Sequence, residues 1–93
     1  MIYLFTYDLH PSFPRNVDAL TNELRNSEAW CNYLERTWLI GTRETHHRLN
    51  ARIAPYLSPN DYWLVVRITY EYSGWLPKEA WDWINKTARI LGI

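Results

Sequence analysis

The chain has 93 residues, ten basic and ten acidic side chains and a formal net charge of zero. Such a length holds one domain, and such a balance excludes the global basic field that drives nonspecific binding to nucleic acid. The single cysteine, Cys31, excludes an intrachain disulfide, and no stretch approaches the roughly 20 apolar residues of a membrane span. With Asp8 and His10 interrupting the first apolar run, the sequence predicts a cytoplasmic protein with no membrane partner.

Residues 2–9, IYLFTYDL, are β-branched, aromatic and nearly uncharged, which predicts a strand covered on both faces and central in its sheet. The turn HPSFPRN follows. Asn16 then offers a helix cap and Asp18 a carboxylate in the first turn, while Val17, Leu20 and Leu24 recur at helical spacing, predicting a helix over 16–27. Residues 30–35 and 37–42 read as two strands turning at Glu35 and Arg36, with one bent strand as the rival reading.

Thr42 can cap the next element, a helix over 44–57 with His46, Leu49, Ile53 and Leu57 on one face and Pro55 distorting its last turn. YWLVVRITY, residues 62–70, is a second densely apolar strand, also expected to be central. Pro77 suits the first position of a last helix ending near Gly92, with Trp81, Ile84, Ala88 and Leu91 as its apolar stripe. The order is a ferredoxin-like βαββαβ antiparallel α+β domain over residues 1–93 with an extra C-terminal helix. Two right-handed crossovers should set the first and last strands side by side at its centre.

Several segments are familiar. YLFTYDL, WCNYLERTWLI, YLSPNDYWLVVRIT and above all GWLPKEAWDWI resemble a family of small bacterial proteins labelled "SinR family". More distantly, the layout resembles the CRISPR-associated protein two and virulence-associated protein D families. That resemblance implies a ferredoxin-like fold, a sheet-mediated homodimer and, in some members, a metal-dependent nuclease whose metal ligand is an aspartate at the end of the first strand. Asp8 occupies the matching position. The tryptophan-bearing C-terminal helix departs from the pattern, since the CRISPR-associated proteins typically end in a strand that pairs across the dimer.

The candidate sites each carry two readings. Asp8, doubled across a dimer axis, would hold Mg²⁺ and serve as the catalytic and metal residue of a nuclease; alone it is a turn-forming aspartate. His10 lies two residues on and reads either as an acid or base beside Asp8 or as a solvated loop side chain. His46 and His47 stand about 100° apart on a helix, too far round to chelate one ion as an i, i+4 pair would, and His46 is expected at the edge of the core. Arg43, Arg48 and Arg52 form the nucleic-acid-binding candidate, in a stretch from 36 to 67 with five Arg against Glu44 and Asp61, or else a solvated helix face. Trp75, Trp81 and Trp83 would stack on bases or pack the last helix against the sheet or across a dimer. Two functions follow: a homodimeric binding or assembly module, nucleic-acid-associated and needing no cofactor, or a Mg²⁺-dependent endoribonuclease or other nuclease using Asp8 from each subunit.

Overall fold

In a computed structural model, which describes residues 1–11 and 17–93, the chain forms a four-stranded antiparallel sheet with helices on both faces. Strands β1 (Ile2–Asp8), β2 (Ala29–Leu34), β3 (Thr37–Gly41) and β4 (Tyr62–Ile68) alternate with helices α1 (Val17–Arg25), α2 (His46–Ile53) and α3 (Lys78–Leu91). The sheet order is β2-β3-β1-β4, with Phe5 of β1 between Trp38 of β3 and Val65 of β4. The α+β class and the element order agree with the sequence reading. The Asn16 cap lies outside the described residues.

β1 is central, as expected, and β4 lies beside it, but β4 is an edge strand rather than a central one. An apolar run reports that both faces of a strand are apolar, whereas an edge is a matter of which main-chain groups find partners, and the run is silent on that. β2 and β3 form the expected hairpin, turning through Glu35 and Arg36, with Arg36 in the left-handed region at φ 57°. A register shift between Cys31 and Leu34 interrupts the pairing, and the Asn32 side-chain amide bridges it by donating to Leu34 O at 3.1 Å and Thr37 O at 3.0 Å.

Because side chains alternate along a strand, Tyr3 and Phe5 of β1 share one face with Trp38 and Ile40 of β3. Leu20 and Leu24 of α1 and Leu49 and Ile53 of α2 pack on that face, and all eight residues are buried. Each fully buried side chain of this size contributes about 1.5–3 kcal/mol. Thr45, not Thr42, caps α2, accepting a hydrogen bond from Arg48 N; Thr42 is buried and its hydroxyl bonds Glu44 Oε1 at 3.0 Å. α2 ends at Ile53, and Pro55 sits in a short 3₁₀ turn, Ala54–Tyr56, because an α-helix cannot accommodate its missing N–H and its ring.

α3 packs within its own chain on the opposite face, over β2, β3 and β1. Its buried residues are Ala80, Ile84 and Thr87, so the inward stripe is rotated slightly from the expected Trp81, Ile84, Ala88 and Leu91; the wide Trp81 is pushed to the margin where its ring fits. Contact at Gly41 sets the closeness of approach: a Cβ there would lie 2.5 Å from Thr87 Cγ2 and 3.1 Å from Ala29 Cβ. We expect Gly41→Ala to lower stability by about 1–3 kcal/mol, the range for overpacking, in urea unfolding followed by tryptophan fluorescence. An unchanged midpoint would show that α3 gives way without cost.

Candidate functional site

Of the candidate site residues, Asp8 stands at the end of the sheet where β1 stops, while Arg43 follows β3 at the opposite end. Asp8 is the last residue of β1, opposite Tyr62, and its side chain is 80% exposed, 4.0 Å from the Arg36 guanidinium. Both partners are solvated, so this pair adds little to stability. Two residues on, the His10 amide donates to Asp61 Oδ1 at 2.7 Å, while Asp61 Oδ2 accepts from Ser58 N at 2.7 Å. Asp61 is only 5% exposed. Its carboxylate joins the exit of β1 to the entry of β4, so the two aspartates at this end have opposite settings: Asp8 faces water and Asp61 faces main-chain donors.

The SPND turn builds the Asp61 site locally. Asp61 N donates to Ser58 O and Asn60 N to Ser58 Oγ, each at 3.0 Å, folding the segment so that the carboxylate points inward. Asp61 escaped the sequence reading as a key residue; the Ser-Pro-Asn-Asp string was the signal available for it. Asp61→Ala leaves the Ser58 and His10 amides without this acceptor. A loss of roughly 1–3 kcal/mol follows from removing a buried carboxylate that accepts two partly buried amides, measurable by urea unfolding, against less than about 1 kcal/mol for Asp8→Ala.

The three candidate arginines do different things. Arg52 lies between α1 and the loop before α2, where its guanidinium donates to Glu23 O and Oε1, Ser27 Oγ and Glu44 Oε1 at 2.8–3.0 Å. Burial alone would push its pKa down, but hydrogen bonds and charge from Glu44 and Glu23 outweigh this and hold it above the ordinary value. Arg43 pairs with Glu28 at an exposed site, and Arg48 is exposed on α2. The three therefore do not form one phosphate-facing surface. Arg52→Ala strands two partly buried carboxylates and should cost about 2–3 kcal/mol in urea unfolding, below the range for fully buried pairs; Arg43→Ala should cost under about 1 kcal/mol.

His46 is exposed rather than at the core edge, because α2 begins there and Leu49 and Ile53 fill its inward face. The His46 and His47 rings lie 4.0 Å apart, tilted by 41°. Among the described residues there is no group of three or more His, Cys, Asp or Glu side chains able to share a metal.

The tryptophans also separate. Trp81 stacks on Tyr72 with ring centroids 6.3 Å apart, Trp83 borders a shallow surface beside Glu28 and Arg43, and Trp75 is 98% exposed. Trp75 and Trp81 rim a groove of about 330 Å³ between α3 and the sheet, floored by Leu4, Cys31, Leu39 and Ile84. Burial there pushes the Cys31 thiol pKa up. Beyond the reach of α3, the same face presents Tyr62, Leu64 and Val66 of β4 to solvent, with Leu64 58% exposed. This apolar row is invisible to periodicity, since YWLVVRI is apolar on both faces; only the strand order reveals it.

No family model, curated protein or solved structure matches the chain in comparison with known proteins. No helix among the described residues is long and apolar enough to cross a membrane.

Proposed function

We propose that the chain is a ferredoxin-like binding and assembly module that works as a homodimer. The observation carrying this reading is the exposed apolar surface of the α3-side face, where Tyr62, Leu64 and Val66 continue towards the groove rimmed by Trp75. Contiguous apolar patches of this kind mark surfaces that are covered in the working protein. The strand order β2-β3-β1-β4 and the two helical crossovers support the ferredoxin-like reading, and the distant resemblance to the CRISPR-associated protein two and virulence-associated protein D families agrees with a dimer.

Nucleic acid is the partner class that exposed arginines serve best, and Arg48 and Arg43 remain at the surface for it, while Arg52 is committed internally. A second reading, a Mg²⁺-dependent nuclease, rests on the exposure of Asp8 at the end of β1. One chain alone does not fit the ion: Asp8 brings a single carboxylate, already beside Arg36, and the remaining oxygen ligands would have to come from a partner chain and water.

Sedimentation velocity across a concentration series tests the assembly. The expected result is a mass that rises from one chain to two; a single-chain mass at every concentration removes this reading. In parallel, Asp8→Ala and the parent are compared on RNA and DNA with Mg²⁺. The assembly module predicts no Asp8-dependent cleavage, and cleavage lost in the variant would make the nuclease the better account.

A further inference from the structure

The two edges of the sheet differ in a way that assigns one of them a partner. β2 is interrupted by its register shift, has Asn32 turned back onto its own hairpin, and is bordered by Glu28 and Glu35. These are the devices by which native sheets block further pairing. β4 has no register shift and no side chain turned back onto a hairpin, and the acidic residue that borders it, Asp61, is buried. Its seven residues, Tyr62–Ile68, contain no Gly or Pro, pair with β1 in unbroken register along their whole length, and carry one charge, Arg67. A strand of this kind at an edge presents a row of main-chain donors and acceptors ready for another strand.

The sequence of β4 indicates which strand that is. We propose that β4 pairs antiparallel with β4 of a second copy of the chain, centred on Val65, to make one continuous eight-stranded sheet. This inference rests on the homodimer reading and adds its edge and register. In this register Leu64 lies opposite the partner's Val66 and Tyr62 opposite the partner's Ile68, so the exposed apolar rows of the two copies lie side by side and shield one another at their shared edge. On the face that bears α1 and α2, Val65 meets the partner's Val65, and Trp63 faces the partner's Arg67, whose guanidinium donates to Ile93 O of its own chain. The one charge on each strand thus lies beside an aromatic ring, where a guanidinium is stabilised, and not beside its own copy. All seven residues pair, and each keeps its apolar or polar face.

The arrangement bears on Asp8. Asp8 sits opposite Tyr62, one strand in from the edge. Two Asp8 residues would be separated by three strand spacings across the sheet and about six residues along it, roughly 25 Å in all. An edge-paired dimer therefore keeps the two carboxylates too far apart to share an ion, and the proposal separates assembly from the nuclease reading.

Two double variants of the full chain, compared by sedimentation velocity, test the register. In L64E/V66E each new carboxylate faces another across the pair, and the expected product is a monomer. In L64K/V66E the same apolar groups are lost, but each ammonium faces a carboxylate, and the dimer is retained, weakened at high salt. Both positions are exposed on the edge strand, and far-ultraviolet circular dichroism checks that each variant is folded. A dimeric parent whose variants are both dimeric or both monomeric overturns this register while leaving assembly standing. A monomeric parent overturns both.

Discussion

β1 is bonded along both edges, to β3 on one side and β4 on the other, and its alternate side chains enter both helix-bearing layers. Ile2, Tyr3 and Phe5 are all buried, two of them beneath α1 and α2 and one beneath α3. Remove the pairing along β1 and β4 loses its attachment to the sheet, while the two cores lose their shared wall. The strand can occupy this position because IYLFTY offers no charge to either layer until Asp8, where the sheet ends. The Tyr3 hydroxyl, which β1 carries into the layer beneath α1 and α2, donates to Glu44 O at 2.8 Å.

How much of this is written in the sequence depends on the range of the interaction concerned. The strands, the hairpin at Glu35 and Arg36, the apolar faces of α1 and α2 and the Pro55 distortion are local, and residues a few positions apart specify them. Leu20 with Leu24 and Leu49 with Ile53 are read directly from helical spacing. The position of β4 at an edge is not local: it depends on which strands find each other across the chain. The same holds for Arg52, whose partners Glu23 and Ser27 lie 29 and 25 residues away. A helical wheel marks it as solvated because the wheel does not contain α1. The cap of α2 shows a subtler failure. Thr42 and Thr45 both have the right chemistry, and the choice between them depends on Thr42 being buried beside β3.

The charged residues share one pattern. Of the candidate arginines, one is partly buried in a carboxylate network and one is paired at the surface, and the most enclosed carboxylate, Asp61, is used to join two loops. Zero net charge is thus accompanied by local neutralisation, leaving apolar surface as the stronger recognition feature of the chain. Pairing through such an apolar edge depends on shape and strand geometry more than on field, so self-association should survive changes in ionic strength that would weaken contacts made by the exposed arginines.

The close seating of α3 at Gly41 has a further consequence. α3 contributes no strand to the ladder and follows a stretch, residues 69–77, without helix or strand. An opening that lifted it would break no pairing between strands, but it would break the hydrogen bond from the Met1 ammonium to Leu91 O at 2.7 Å and the one from Arg67 to Ile93 O. Such an opening would uncover the buried Cys31 thiol, which lines the groove together with Ala80 and Ile84. The only cysteine in the chain is in this sense a chemical clock for its last helix: its rate of alkylation counts the departures of α3 from the sheet.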